Sequence, residues 1–245
     1  GDGAVSGPAL LLREHPDYSP TRHFGSAITL VVPTINSEAW IQELIDFYES
    51  IRLRPLYVVD SRTRDRTCEI LAAAKQNWVK VSSKAPRVES LLPGMLSRVS
   101  RPWVLRLDDD ELPAPALLRF CDDAVDREEA PVWGFPRLCL RWQPGRPTLD
   151  YSTFLTLGPA VDMDRQFRLF RADGVTLKDE VHTPGFDSAV KRPAPSPAFI
   201  LHFNWGVSQI SVFDLKTNVW TTLAVPSGAG GSAGFYDPVY NVYVF

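Results

Sequence analysis

Strand-like and helix-like patterns alternate along residues 28–125, and this alternation leaves few folds open to the chain. Short apolar runs predict buried strands at residues 28–32, 56–59, 78–81 and 103–107. Apolar residues at helical spacing predict helices at residues 37–51, 65–76, 90–99 and 117–125. Strands that alternate with helices form βαβ units, so the sequence predicts an α/β fold with a mainly parallel sheet flanked by helices.

Two of these helices carry specific expectations. Ser37 is expected to cap the first one, because a serine hydroxyl can accept from the free backbone N–H groups of the first turn. Leu71 and Ala72 are expected to face inward from the second.

The second half of the chain has a different pattern. Apolar runs predict strands at residues 131–142, 166–171 and 198–203. The spacing of its apolar residues predicts an amphipathic helix over residues 211–223. We therefore expect an N-terminal arm at residues 1–24, a main domain at 25–226 made of two halves (25–125 and 126–226), and a Gly-rich C-terminal tail at 227–245.

Composition excludes several classes of protein. A net charge of −3 argues against a dedicated nucleic-acid binder, which usually carries a basic excess. The three cysteines form no C-x-x-C pair, so we expect neither a disulfide framework nor a thiolate zinc site, and a reducing cytoplasm fits best. No apolar run approaches the ~18 residues of a membrane span, which leaves peripheral membrane contact open.

Carboxylates follow two of the predicted strands at the point where each strand ends. Asp60 follows one strand, and Asp108, Asp109, Asp110 and Glu111 follow another. In parallel sheets ligands bind beyond the carboxyl ends of the strands, so both clusters are expected on one rim. In an extended segment Asp108 and Asp110 would converge while Asp109 points away, and such a pair suits Mg²⁺ or Mn²⁺. The alternative is a solvated acidic loop before a helix.

Three segments in this order resemble family 2 glycosyltransferases of the GT-A fold. They are ITLVVPTINSEAWIQELIDFYES, YVVDSRTRDRTCEIL and WVLRLDDDEL, the last of which is similar to the Asp-x-Asp metal motif of that family. The resemblance implies a nucleotide-sugar donor and a divalent metal, Mn²⁺ or Mg²⁺.

The resemblance also implies a role for each matching residue. Pro33, Thr34 and Glu38 would border the nucleotide pocket, and Asp60 would accept from a uracil-type N–H of the base. Asp65 would order the second turn. Asp108 would lie near the ribose or the metal, Asp110 would bind the metal directly, and Asp109 is counted with the nucleotide-sugar-binding residues.

Arginines replace the small residues that the family usually has in its second turn. Arg62, Arg64 and Arg66 stand there, and Arg87 replaces an Arg-Asn pair further on. We count Arg62 and Arg87 among the nucleotide-sugar-binding residues, because guanidinium groups suit phosphate oxygens. The alternative for the turn is solvated surface arginines.

The second half resembles the subgroup of lipopolysaccharide-core-type bacterial sugar transferases, through RQFRLFRADG, KDEVHTPG and FILHFNW. The resemblance implies a carboxylate base, for which we name Glu180 with Asp179 beside it; Asp162 and Asp164 remain open alternatives. His202 is either a core histidine or a third metal ligand, with His182 as its competitor, and an imidazole ligand would favour manganese.

These inferences together predict a metal-dependent glycosyltransferase of the hexosyltransferase type. Residues 25–125 would bind nucleotide and metal, and residues 126–226 would bind the acceptor. A UDP-sugar is favoured as donor, transfer is expected with inversion, and the acceptor (a glycan, a lipid-linked or another small molecule) is not determined. One alternative is a sugar-phosphate nucleotidyltransferase, which the turn PTINSE disfavours because it lacks a Gly-rich loop. Another is a degenerate, non-catalytic nucleotide- or glycan-binding protein.

Overall fold

The structure is a computed structural model. It describes residue 18 and residues 21–84, 88–141, 165–178, 184–195, 198–204, 209–214, 219–224, 235–237 and 242–244. The chain divides into two compact units, Gly1–Trp205 and Gly206–Phe245. The domain boundaries expected after residues 24, 125 and 226 stay predictions.

A nine-stranded sheet is the frame of the first unit. The strands described in this unit are β1 (Ile28–Thr34), β2 (Leu56–Asp60), β3 (Asn77–Val81), β4 (Trp103–Arg106), β5 (Glu111–Pro113), β6 (Val132–Arg141), β7 (Arg165–Arg171), β8 (Thr176–Leu177), β9 (Phe186–Asp187), β10 (Lys191–Pro193) and β11 (Ile200–Asn204). In the sheet they follow the order β3-β2-β1-β4-β7-β6-β11-β5 with β10 beside β6, while β8 and β9 pair separately.

The pairing of β1 to β4 is parallel throughout, as βαβ units require. β7 lies antiparallel between β4 and β6, and β5 is antiparallel to β11. The helices that join the first strands are α1 (Ile41–Ser50), α2 (Thr67–Ala73), α3 (Val88–Leu96) and α4 (Pro115–Arg127). The predicted α/β class with a mainly parallel, helix-flanked sheet is confirmed.

The core lies on both faces of the sheet, because successive side chains of a strand point to opposite faces. Leu30 and Val32 of β1 pack on one face in the larger cluster, with Leu44 of α1. Val31 packs on the other face, with Leu92 of α3. Burial on both faces explains why the strand sequences are almost continuously apolar.

Two expectations about the helices are wrong. α1 begins after Trp40 with no side-chain cap, and Ser37 is instead buried with its hydroxyl bonded to Asp109 and Thr34. Ala72 is exposed, while Leu71 is buried as expected. α2 ends earlier than the pattern suggested because Lys75 adopts φ 53°, which stops the helix.

The second unit contains strands where the sequence predicted a helix over residues 211–223. β12 (Gln209–Asp214) pairs antiparallel with β13 (Val219–Ala224), and β14 (Phe235–Asp237) pairs with β15 (Val242–Val244). The helix prediction is wrong because β-branched and aromatic residues fill both segments (QISVFD and VWTTLA), and these side chains favour strands. No helix in the described ranges has the length and apolar character needed to cross a membrane.

Candidate functional site

The carboxyl ends of β1, β2 and β4 meet at one edge of the sheet and enclose a small cavity. Its volume is about 110 Å³, and among its lining residues are Pro33, Thr34, Asp60, Asp108 and Asp109. Five residues expected at the site are thus brought together, as the topology of parallel strands predicts.

The acidic run after β4 is a turn and not an extended segment, contrary to expectation. The backbone N–H of Glu111 donates to the carbonyl of Asp108 at 2.9 Å, and the Glu111 carboxylate accepts from the backbone N–H of Asp108 at 3.1 Å. These two hydrogen bonds close the turn. Asp108 and Asp110 consequently contact different partners, and their carboxylates do not point to one common position.

Asp108 is held by arginines from two neighbouring strands. Nη2 of Arg168 on β7 lies 2.6 Å from Oδ2 of Asp108, and Nε of Arg106 on β4 lies 3.5 Å from Oδ1. Burial raises the pKa of Asp108, Arg106 opposes that rise, and nearby Asp110 adds to it. Oδ1 is buried against Arg106 and accepts no hydrogen bond from the described residues.

Glu111 and Arg168 form a buried ion pair beneath Asp108. Their side chains are 0% and 2% exposed, and Arg168 Nη2 lies 2.6 Å from Glu111 Oε1. Burial raises the pKa of Glu111, and the charge of Asp108 raises it further. This pair was not predicted from the sequence. Charged residues inside apolar strands (WVLR and RQFRLFR) could have indicated a buried ion pair, since a buried charge needs a partner.

Asp110 turns toward His202 of β11. Nε2 of His202 lies 3.1 Å from Oδ2 of Asp110, and the two side chains are 27% and 38% exposed. The antiparallel pairing of β5 with β11 sets His202 opposite Glu111, which brings the imidazole beside the turn. A carboxylate oxygen and an imidazole nitrogen on one accessible edge are a ligand pair that Mn²⁺ accepts.

This donor set fits a metal that is completed by its substrate. Within the described ranges no group of three or more His, Cys, Asp or Glu side chains is arranged to hold a metal. Ions that bind through one or two carboxylates complete their coordination with water and substrate phosphates. Asp110 and His202 therefore fit a shared metal, and they do not fit a site closed by protein ligands alone.

Asp109 faces the turn that follows β1. Its Oδ2 accepts from Thr34 Oγ1 at 2.5 Å and from the hydroxyl of Ser37. Burial and the charge of Asp110 raise the pKa of Asp109 to about 7, against the lowering effect of the two hydroxyls. Asp109 thus ties the turn after β4 to the turn after β1 and shapes the floor of the cavity.

Asp60 lies at the end of β2 and is already saturated by hydrogen bonds. Oδ1 accepts from Nε of Arg62 at 2.9 Å and from its backbone N–H at 2.8 Å. Oδ2 accepts from Nη2 of Arg62 at 2.5 Å and from Ser83 Oγ at 3.2 Å. Burial would raise the pKa of Asp60, and Arg62 and Ser83 outweigh it, so the pKa is lowered. A base that used Asp60 would have to displace Arg62.

The turns after β1 and β2 hold each other. Asp65 accepts from the backbone N–H of Glu38 at 2.9 Å, and Glu38 accepts from the backbone N–H of Arg66 at 2.9 Å. The Arg64 guanidinium donates to the carbonyls of Ser61 and Thr63, and that of Arg66 reaches Glu69. Asp65 and Glu38 therefore order these turns, and of the three arginines it is Arg62 that bonds to Asp60, beside the cavity.

Several predicted residues lie outside the described residues. They are Arg87, Asp162, Asp164, Asp179, Glu180 and His182. Their roles stay predictions, the catalytic base among them.

No protein-family model matches the chain, and no curated protein matches it either. Among solved structures it is similar to S. aureus TarS 1-349 in complex with UDP-GlcNAc, at TM-score 0.48 and 15% identity, covering 76% of this chain and 62% of that one. It is also similar to glucosyl-3-phosphoglycerate synthase from Mycobacterium tuberculosis in complex with Mn²⁺, UDP and phosphoglyceric acid, at TM-score 0.47 and 15% identity, covering 82% and 87%. The chain spans about three fifths of the length of TarS 1-349. Because the TM-scores lie below 0.5, we draw no function from these similarities, and the site is interpreted from its own residues.

Proposed function

We propose that this protein is a metal-dependent glycosyltransferase that takes a hexose from a nucleoside-diphosphate sugar, with UDP-sugars favoured. The observation that carries the proposal is the pair Asp110–His202, 3.1 Å apart, because Asp110 belongs to the turn whose Asp108 and Asp109 line the cavity at the carboxyl ends of the strands. Asp60, at the end of β2, borders the same cavity.

Each group has a distinct task in this proposal. Asp110 and His202 would hold the metal, with Mn²⁺ preferred to Mg²⁺ because imidazole would be one of the ligands. When bound, the metal would neutralise the negative charge that develops on the departing diphosphate. Asp108, which lines the cavity, would accept a hydrogen bond from a ribose hydroxyl. The Arg106–Arg168 pair fixes the carboxylate for that contact.

The proposed chemical step is a displacement at the anomeric carbon of the donor sugar. An acceptor hydroxyl attacks the anomeric carbon, and the bond between that carbon and the diphosphate oxygen breaks with its electrons on the oxygen. A carboxylate must take the hydroxyl proton, and Glu180 or Asp179 is assigned that role. Attack from the face opposite the diphosphate inverts the anomeric centre. The acceptor stays open among glycans, lipid-linked sugars and other small molecules.

One observation favours a second candidate function, a nucleotide- or glycan-binding protein that does not catalyse transfer. Arg62 closes both oxygens of Asp60, which removes the acceptor that a uracil-type base would use. A degenerate nucleotide- or glycan-binding protein would tolerate this closure, whereas the transferase needs Arg62 to move away and, in our proposal, to meet the diphosphate.

The deciding experiment combines binding with turnover. Thermal shift and diphosphate release would be measured with UDP-, GDP- and TDP-sugars in the presence of Mn²⁺, Mg²⁺ or a chelator. Asp110→Ala is the test variant. Asp173→Asn is the control, because Asp173 is an exposed carboxylate paired with Arg171 at the opposite edge of the sheet.

A transferase gives a metal-dependent stabilisation with one nucleotide class, since a ligand that binds only the folded state raises stability by mass action. It also releases diphosphate slowly, and Asp110→Ala loses both effects while Asp173→Asn keeps them. Stabilisation without diphosphate release by any donor supports the binder. Wild-type behaviour of Asp110→Ala counts against the metal site.

A further inference from the structure

A second and larger cavity lies at the edge of the sheet opposite the candidate site. Its volume is about 510 Å³, and it is lined by the first residues of β1 (Ile28, Thr29 and Leu30) together with Leu56 and Asn77 at the starts of β2 and β3. These residues begin parallel strands, and the far ends of β1 and β2 carry Thr34 and Asp60, which line the candidate site, so the two cavities are separated by the length of the strands. A volume within the roughly 300–1,000 Å³ of small-molecule sites makes this cavity large enough for a ligand.

The charged residues that line this cavity are all positive. Arg52, Arg54, Arg98 and Arg101 line it, and no aspartate or glutamate is among the lining residues. In the described part of the chain none of these four arginines is joined to a carboxylate in an ion pair. The whole chain has a net charge of −3, so this local positive excess runs against the overall balance.

Arg52 is held in a backbone conformation that does not suit it. Its φ is 61°, in the left-handed region where a side chain meets the following carbonyl and glycine is preferred. The same left-handed φ follows α2 at Lys75 and α4 at Glu128, so at Arg52 it ends the helix α1, with the backbone N–H of Leu53 donating to the carbonyl of Tyr48. Glycine is the residue that fits this turn best, and an arginine that lines the cavity stands there instead.

We propose that this cavity binds a ligand carrying a phosphate or diphosphate group. Guanidinium groups are weakly hydrated planar donors that match phosphate oxygens in pairs, and the presence of four exposed arginines among the residues that line one cavity suits a ligand with more than one negative charge. The same chemistry is offered by a free phosphate compound and by the headgroup of an anionic phospholipid. The experiment below separates these two sources.

A purely structural use of the arginines makes a different prediction. Arg52 and Arg54 follow the C-terminus of α1, and Arg98 follows that of α3, where basic side chains offset the helix dipole. That role requires no ligand, and it would appear as a loss of stability when the charges are removed. It does not account for Arg101, which precedes β4 and follows no helix directly.

The test measures binding of inorganic pyrophosphate by calorimetry in the presence of a chelator, so that the candidate metal site makes no contribution. Arg52→Gly is the sharpest variant, because glycine relieves the strained φ and keeps the turn while it removes the guanidinium. Arg101→Gln is the second variant. Arg127→Gln is the matched control, since Arg127 is an arginine on α4 that does not line either cavity.

We expect Arg52→Gly to unfold at the same or a higher temperature than the wild type and to bind pyrophosphate about tenfold or more weakly, the loss typical of one charge-assisted contact. Arg101→Gln should show a similar loss, and Arg127→Gln should bind as the wild type does. Asp110→Ala should also keep its pyrophosphate affinity, which separates this site from the proposed active site.

Sedimentation of the protein with phosphatidylcholine vesicles that contain or lack phosphatidic acid distinguishes a lipid headgroup from a soluble phosphate compound. Binding to the anionic vesicles alone, reduced by both arginine variants, assigns a lipid headgroup; pyrophosphate binding without vesicle binding assigns a soluble phosphate compound. The proposal is overturned if neither probe binds the wild type, or if Arg52→Gly and Arg101→Gln bind both probes as the wild type does.

Discussion

Asp108 and Asp110 stand two positions apart in one acidic run and have different surroundings. Asp108 is 24% exposed and tied to Arg168 and Arg106, whereas Asp110 is 38% exposed and faces His202. The difference arises because the run is a turn closed by Glu111. A carboxylate paired with arginine is a poor metal ligand, so in the proposed function Asp110 would bind the metal and Asp108 would not.

Arg62 controls access to Asp60. We expect Arg62→Ala to bind uridine more tightly, by up to about fivefold, because a partly exposed ion pair no longer has to be broken. Calorimetry with uridine, which carries no phosphate, isolates this effect from any contact of Arg62 with a diphosphate. Arg66→Ala is the control in the same turn, since Arg66 pairs only with exposed Glu69 among the described carboxylates. Unchanged uridine affinity in Arg62→Ala would contradict the displacement.

Arg168 stabilises the site from below. We expect Arg168→Met to lower the free energy of unfolding at neutral pH by about 3–5 kcal/mol, because Glu111 and Asp108 lose their buried partner. Urea unfolding of Arg171→Met, in which a more exposed arginine of the same strand is lost, should show a change below about 1 kcal/mol. Equal losses in the two variants would mean that the buried position of Arg168 adds nothing.

At the scale of elements, α3 approaches β3 through a glycine. A Cβ atom added at Gly94 would overlap Cγ1 of Val81, so the helix lies on the strand without room for a methyl group. This contact fixes the distance between α3 and the sheet, and α3 also supplies Val88 and Leu91 to the lining of the candidate site.

We expect Gly94→Ala to destabilise the protein by roughly 1 kcal/mol or more, although alanine favours helix by up to about 1 kcal/mol. The double variant with Val81→Ala should recover part of the loss, because it removes the methyl group that is hit. A double-mutant cycle by urea unfolding measures this coupling. If Gly94→Ala is more stable than the wild type, α3 can move away from β3 without a loss of stability, which would contradict the prediction.

The elements of residues 28–127 follow from the sequence except for β5, whereas the contacts between distant parts of the chain do not. Buried strands and amphipathic helices have local periodicities, so β1 to β4 and α1 to α4 were found within a few residues of their observed bounds. Arg168 meets Asp108 across 60 residues and His202 meets Asp110 across 92, and no local pattern encodes either contact. In residues 211–223 the apolar residues have helical spacing, but many residues are β-branched or aromatic and favour strands. The segment contains strands, as its composition and not its spacing indicates.

At the scale of the whole molecule, the stability of the first unit depends on protons held at the site. The pKa of Asp109 is about 7 in the folded state, above the value of about 3.9 expected when unfolded. Between these two pH values the Asp109 carboxyl is protonated in the folded state and ionised in the unfolded state. Protonation of Asp109 therefore stabilises the folded state fully below about pH 4, and this stabilisation is lost as the pH rises to about 7.

We expect Asp109→Asn to remove part of this pH dependence. Asparagine keeps an acceptor for Thr34 and carries no charge, so the free energy of unfolding of the variant should fall less than that of the wild type between about pH 4 and 7. Urea unfolding at several pH values measures the slope for both proteins, with Asp173→Asn as the control. Identical slopes for Asp109→Asn and the wild type would show that Asp109 does not hold the proton.

The position of β7 between β4 and β6 has a consequence for how the protein is made. β4 leaves the ribosome with its apolar edge unpaired, and its partner Arg168 is synthesised 60 residues after Asp108. At about 5–20 residues per second this interval lasts roughly 3–12 s. During that time the nascent chain has an open strand edge, and Asp108 and Glu111 lack their shared partner Arg168, so the candidate site is completed late in translation, together with the half of the chain that follows it.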